Sequence, residues 1–404
     1  MFEDILYISY GVLLIVAGLM IRQLWFAMRH FTPPVFESKP AKEADLPSVT
    51  VCIPARNEMH ALAECLGKVI ASDYQKLEII VLDDASADDT SSLIKSFAKD
   101  GVRFVEGKAL PKGWLGKNHA LQGLLREASG TYILFMDVDT RITPDAISNL
   151  VRYALSQSAA MVSVLPRRED SWRASVLFSP LRYFWEILFH SQSSPATASN
   201  AWLINREVLL ERFNGFEALK TAVQPESQLS KSLATTNDYR FLIGTAVFGI
   251  AYEKKWRSQL VTSTRLLFPL LENKLSLAIV AIFDLFILLV PILAVLSLLF
   301  PLLENKLSLA IVAIFDLFIL LVPIFAVLSL LFNEVGTVHI IGIVVALLYA
   351  GMYGWYLRRV WNKGVLLGAI LWPVALVQEI LLVIASIYQY TRRTVKWKGR
   401  KVVN

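Results

Sequence analysis

Apolar runs constrain this chain more than any other feature. Ile5–Ile21 is predominantly apolar, and from Pro269 to Tyr390 apolar segments dominate again. Charged and polar residues concentrate between them, from about 38 to 270. In hydrocarbon every backbone N–H and C=O must be satisfied within its own segment, so about 20 such residues cross a bilayer as a helix. One water-soluble domain between membrane segments is the plan that follows, and 55% hydrophobic residues over 404 positions agree with it.

The flanks suggest an orientation. Glu3 and Asp4 precede the first run, and Arg22, Arg29 and His30 follow it. A secretory signal has the reverse charge order and a small-residue cleavage site, so a retained anchor with its N-terminus outside is expected. Pro33, Pro34, Pro40 and Pro47 make 31–47 a stiff linker. Toward the other end, Pro269–Phe300 and Pro301–Phe332 are two copies of one 32-residue segment that differ only at Leu293 against Phe325. Two copies are too few for a solenoid, and each holds a span of its own. Each also carries one intramembrane acid, Asp284 or Asp316, for which a protonated, bundle-facing carboxyl is expected. Val338–Leu357 and Val365–Tyr390 bring the expected spans to five.

The last 14 residues carry six cations and no acid: Arg392, Arg393, Lys396, Lys398, Arg400 and Lys401. A basic tail directly after an apolar span reads as a cytoplasmic flank near anionic lipid, so the net charge of +6 is no nucleic-acid signal. Five spans place both the soluble domain and this tail in the cytoplasm. They also place Arg358–Lys363 outside, against the positive-inside rule. The expected organisation is an anchor over 1–30, the linker 31–47, a soluble domain over 48–250, an interfacial helix over 251–268, a transmembrane region over 269–390 and the tail 391–404.

Within the soluble region strand and helix patterns alternate. Strands are expected at Val49–Ile53, Leu77–Leu82, Val102–Val105, before Asp137 and at Met161–Leu165, and helices at Ala61–Ile70, Asp88–Lys99 and Asn118–Ala128. Such alternation predicts an α/β domain with a mostly parallel sheet covered on both faces. Past Asp170 the pattern predicts an aromatic helix over Trp172–Phe189, a strand at Ala201–Asn205 and a helix over Ser227–Ala234. Tyr252–Leu267, with Trp256, Leu260 and Leu267 near one face and cations around them, suits a helix in the membrane interface. Cys52 and Cys65 are expected to be free buried thiols, and no Cys/His cluster has zinc spacing.

The chemistry gathers where strands end. Tyr132-Ile-Leu-Phe-Met runs into Asp137-Val-Asp139. Two hard oxygen donors at the carboxyl end of a buried strand suit Mg²⁺ or Mn²⁺, which takes one or two carboxylates plus substrate phosphates. A pair of solvated loop acids is the alternative. Pro54-Ala-Arg56-Asn-Glu58 follows the first strand, Asp83-Asp84-Ala-Ser86 the second, and Lys112-Gly-Trp-Leu-Gly-Lys117-Asn-His119 opens a helix. A right-handed parallel arrangement brings the strand-end pieces to one sheet edge.

This ordered set, closed by Trp397-Lys-Gly-Arg400, resembles the family 2 glycosyltransferases of the GT-A fold. More narrowly it is similar to membrane-bound bacterial enzymes of the diaponeurosporenoate (carotenoid) and hopene-associated type. The resemblance implies a UDP-sugar donor and a lipid acceptor at the membrane. It assigns Asp84, with Asp83 beside it, to the uridine, and Pro54, Arg56 and Glu58 to the nucleotide pocket. Asp139 with Asp137 would hold Mg²⁺ or Mn²⁺ on the diphosphate, and Lys117 and His119 would lie at a helix start that favours phosphate. Relatives place Glu-Asp before the helix that precedes a Tyr-Arg strand. Counting back from Tyr239-Arg240, Glu226-Ser227 stands there, so Glu226 is the implied base and Ser227 departs from the pattern. Processive relatives carry Q-x-x-R-W, which is absent here, so transfer of one sugar is expected. A processive polysaccharide synthase and a catalytically weak membrane scaffold or transport protein remain the alternatives.

Overall fold

A computed structural model describes residues 2–32, 45–169, 181–245, 247–271, 273–282, 284, 285, 288, 337–361, 364–398 and 400–402. The chain divides into two compact units. One comprises 1–27, 170–188 and 255–392; the other comprises 28–169, 189–254 and 393–404.

The second unit holds the sheet. Its strands are β1 (Val49–Ala55), β2 (Leu77–Asp83), β3 (Val102–Glu106), β4 (Tyr132–Met136), β6 (Met161–Leu165), β8 (Ala201–Asn205) and β9 (Tyr239–Ile243). The spatial order is β3-β2-β1-β4-β8-β6-β9. Only β8 runs antiparallel to its neighbours, β4 and β6. Val49 pairs with Leu77 on one side and Tyr132 on the other. All five residues of β4 are buried, as are six of seven in β1, because layers cover both faces of a mostly parallel sheet. Val51, Ile53, Leu62, Leu66, Val81, Leu134 and Leu150 meet in its core. Each such aliphatic side chain contributes about 1.5–3 kcal/mol when fully buried. On the opposite face Trp202 stacks on Phe135 at 4.4 Å between ring centroids. Cys52 and Cys65 are free and buried.

Three short strands make a second sheet: β5 (Thr140–Ile142), β7 (Arg167–Arg168) and β10 (Ile250–Tyr252), with β10 in the middle. Sequence pattern gave no sign of them. Gly244 lies where the chain leaves β9 toward this sheet, and its N–H donates to the Leu165 carbonyl at 2.6 Å. A Cβ there would stand 2.5 Å from the Ile250 oxygen and 2.9 Å from the Arg167 nitrogen, both backbone. Gly244→Ala is therefore expected to cost about 1–3 kcal/mol, as overpacking against rigid neighbours does. An unchanged urea midpoint in the full-length protein would refute this.

Two expectations are corrected. The helix expected over Asp88–Lys99 is α3, Thr90–Ser96, with a 3-10 turn over Ala98–Asp100. The Asp88 carboxylate accepts from the Thr90 amide at 3.2 Å and hydroxyl at 2.5 Å, which fixes the start of the helix two residues late. The helix expected from Tyr252 begins at Trp256 and runs to Leu270. Tyr252 instead pairs with Thr140 in the second sheet, where its backbone groups find ladder partners.

His190 lies in this unit with its ring edge-on to Phe31 at 4.8 Å, and its Nδ1 accepts the Ala196 amide at 2.9 Å. Burial, reinforced by the charge of His30, lowers its pKa to about 4, against about 6.5 in an unfolded chain. A depressed pKa means the folded state disfavours the proton. The contribution is therefore complete above about pH 6.5 and is lost as pH falls toward 4. Melting of wild type and His190→Gln between pH 7.5 and 4 is expected to show the steeper acid loss in wild type; parallel curves would refute the assignment.

The other unit is helical. Among the described residues three helices are long and apolar enough to cross a membrane: Gly11–Phe31 (to Ala27 in this unit), Ile340–Val360 and Trp372–Thr391. The helix Trp256–Leu270 packs along Trp372–Thr391, where the Phe268 amide donates to the Ser386 hydroxyl at 3.0 Å and the Tyr390 hydroxyl to the Arg265 carbonyl at 2.7 Å. Its buried face is Gln259, Ser263, Thr264, Leu266 and Leu267, with Trp256 exposed. Of the expected Trp172–Phe189 helix, Arg182–Leu188 is helical; 170–180 lie outside the described residues. So do most of the linker, half of the first 32-residue copy and all of the second, including Asp316. Asp284 is exposed, not turned into the bundle; Leu285 and Leu288 are the buried residues beside it.

Candidate active site

The order β3-β2-β1 then β4 reverses chain direction across the sheet between β1 and β4. Ligands of open α/β sheets bind in the crevice outside the carboxyl ends of the strands at such a point. Glu58 follows β1, Asp83 ends β2 and Asp84 follows it, and Asp137 and Asp139 follow β4. All five carboxylates thus lie at one edge.

The backbone there is tightly bonded. The Asp84 amide donates to the Ala55 carbonyl at 2.8 Å, tying the two strand ends together. The Asp83 carboxylate accepts from the Ser86 amide at 3.2 Å and hydroxyl at 2.5 Å, so it holds the turn. Asp84 is 3% exposed. The Arg56 guanidinium donates to the carbonyls of Asp84 and Ala85, the latter at 2.8 Å. Pro54 lies within β1, opposite Leu82. Beyond β4, the Asp137 amide and the Thr140 hydroxyl both donate to the Asn200 carbonyl, at 2.9 and 3.1 Å. This fixes the Asp-Val-Asp turn on the end of β8.

Each acid that faces the crevice meets a cation. Lys117 reaches Asp137 at 3.1 Å, and Lys254 reaches Asp139 at 3.3 Å. Lys398 pairs with Glu58, and Arg400 with Asp84 at 2.5 Å. Burial pushes the Glu58 pKa up, opposed by Lys398 and aided by Asp139 and Asp137. Burial lowers the pKa of His119 despite the charge of Asp84. Its ring stands edge-on to Trp114 at 5.7 Å. Lys117 and His119 occupy the first turn of α4 (Gly116–Glu127), for which Leu115 supplies no side-chain cap. Asn118 in the same turn donates to the carbonyls of Leu219 and Ala222 at 2.6 and 2.8 Å. It thereby anchors the segment that leads into the helix Pro225–Thr235. Glu226 sits in that helix's first turn, 2% exposed.

The Asp pair suits a divalent cation. Asp139 Oδ1 is buried and has no hydrogen-bond partner among the described residues. Among those residues no cluster of three or more His, Cys, Asp or Glu forms a closed metal cage. Two carboxylates that leave further positions for phosphate oxygens are the usual Mg²⁺ arrangement.

Sequence reading did not find Lys254, Asn200, Lys398 or Arg400. Lys254 looked like one of several cations around an interfacial helix, and Asn200 acts through its backbone. By composition alone Lys398 and Arg400 belong to a lipid-facing tail. The one signal for them was the Trp397-Lys-Gly-Arg400 match.

Comparison with known proteins concerns the sheet-bearing region. A family model described as glycosyl transferase family 2 matches residues 50–213. An N-acetylglucosaminyltransferase of Mesorhizobium japonicum is 34% identical over 37% of this chain and 36% of its own length. A 4,4'-diaponeurosporenoate glycosyltransferase of Staphylococcus aureus is 32% identical over 30% of this chain and 32% of its own length. The chain thus spans about a third of the length of these curated relatives. A solved mannosyltransferase of Pyrobaculum calidifontis, in complex with GDP-Man and Mn²⁺, shares the fold at a TM-score of 0.51 and 20% identity, over 96% of this chain and 99% of that one. The chain therefore carries, over residues 50–213, a domain of glycosyl transferase family 2 built on the GT-A fold.

Proposed function

We propose that this chain is a membrane-bound inverting glycosyltransferase that moves one sugar from a UDP-sugar to a lipid-type acceptor such as a carotenoid acid, a hopanoid or a glycolipid precursor. One observation carries the reading: two carboxylates, one with a buried unbonded oxygen, stand at the switch point of the sheet beside the open start of α4.

In this reading Asp84 contacts the uridine, with Asp83 holding the turn that presents it. Pro54, Arg56 and Glu58 line the nucleotide pocket. Lys117 and His119 set the diphosphate against the first turn of α4, where amide groups and the helix dipole favour anions. Asp137 and Asp139 would hold Mg²⁺ or Mn²⁺, which would supply a Lewis acid for the negative charge left on UDP. Glu226 takes the proton from the acceptor hydroxyl as that oxygen attacks the anomeric carbon from the face opposite the diphosphate. The three span-capable helices support an acceptor dissolved in the membrane, and the charge pattern of the anchor and tail supports a cytoplasmic catalytic domain.

Membranes containing the full-length protein, given Mn²⁺, labelled UDP-sugars in turn and a lipid extract, are expected to yield a single labelled lipid. A ladder of products would assign chain building, and no product with any donor would favour the scaffold alternative.

A further inference from the structure

The C-terminal hairpin, β11 (Lys396–Trp397) and β12 (Arg400–Lys401), belongs to the same unit as the sheet. It is held on the acids by both side chain and backbone. Besides pairing with Glu58, the Lys398 ammonium donates to the Arg56 carbonyl at 2.8 Å, and Arg56 Nε–H donates to the Lys398 carbonyl at 3.3 Å. Arg400 Nη2 lies 3.4 Å from the Asp84 carbonyl. Gly116 makes room for the guanidinium: a Cβ there would stand 2.8 Å from Arg400 Nη1 and 3.2 Å from Asp84 Oδ2.

The charge balance shows what this arrangement does. Without the hairpin the edge presents Glu58, Asp84, Asp137 and Asp139 against Lys117, Lys254 and Arg56, a net negative charge that repels a diphosphate. With the hairpin, each of the four carboxylates is paired with a cation and the negative excess is gone. Lys398 and Arg400 keep side-chain exposures of 26% and 22%, so each has a face toward solvent while it is paired. A guanidinium also has five N–H donors in a fork that matches phosphate, more than one carboxylate uses.

We propose that Lys398 and Arg400 bind the phosphate groups of the nucleotide donor, making the C-terminal hairpin part of the donor site. The proposal rests on the donor-site reading above. Glu58 and Asp84 hold the two cations in place before the donor arrives, and its diphosphate then meets the solvent-facing side of each. The tail is therefore not only a basic flank for lipid.

The test is calorimetric binding of UDP, with Mn²⁺, to full-length protein in detergent. Lys398→Ala with Arg400→Ala is expected to weaken UDP at least tenfold and to flatten the salt dependence of its affinity. The exchange Lys398→Arg with Arg400→Lys, which keeps both charges, is expected to stay within about threefold of wild type, separating a lost phosphate contact from a misfolded edge. Unchanged or tighter UDP binding in the alanine variant, with Asp139→Asn weakening it, would overturn this proposal alone; tighter binding would mark the hairpin as a plug. A wild type that binds no UDP would overturn the donor-site reading and this proposal with it.

Discussion

Asp139→Asn is expected to reduce sugar transfer by about a thousandfold while leaving the protein folded. The substitution keeps the shape of the side chain and removes its charge. What is lost is a hard anionic donor to a divalent cation, whose stabilisation of a departing diphosphate amounts to several kcal/mol, and about 1.4 kcal/mol is a factor of ten in rate. What the fold loses is small. The Lys254 pair lies at a partly exposed edge, with 23% exposure on each side chain, where such pairs contribute about 0–1 kcal/mol. The backbone that fixes the turn, Asp137 and Thr140 on the Asn200 carbonyl, is untouched. Activity should therefore collapse with the melting temperature almost unmoved. Turnover near wild type, with Mn²⁺-dependent UDP binding intact, would show that the pair holds no metal.

Glu226→Gln is expected to lower kcat by about a hundredfold to ten-thousandfold, the usual weight of a general base, with little change in donor KM. Gln fills the same volume but cannot take a proton. Glu226 is 2% exposed and opens the helix Pro225–Thr235. Losing its charge there forfeits about 0.3–1 kcal/mol of helix-dipole interaction, too little to unfold the domain. Glu226→Asp should recover part of the rate, because the carboxylate returns at a shorter reach. Raising pH should not rescue the Gln variant, since no deprotonation restores the missing group. A Glu226→Gln enzyme with wild-type kcat would move the base elsewhere, and the Ser227 departure would then cease to matter.

The tail shows best why part of the site was not legible. Six cations after an apolar span satisfy the composition rule for a lipid-facing flank whatever they touch. Nothing local in Lys396–Lys401 tells that Lys398 reaches back to Glu58, some 340 positions away in sequence. Lys254 is a similar case. A helical pattern from Tyr252 absorbed it, whereas the β10 ladder with Thr140 turns it toward Asp139. Three-residue strands such as β5 and β10 carry too few positions for alternation to register.

The sequence by itself determined three features: apolar segments on either side of a charged and polar region, an alternating α/β pattern, and acids at the ends of β1, β2 and β4. These are local properties, since period, run length and the residues that end a strand are set by neighbours along the chain. Only the tertiary structure decided which cation meets which acid, that β8 runs against the rest of its sheet, and that the chain's last described residues close over its first strand ends. Those choices depend on contacts between segments tens to hundreds of positions apart, and no local pattern records them.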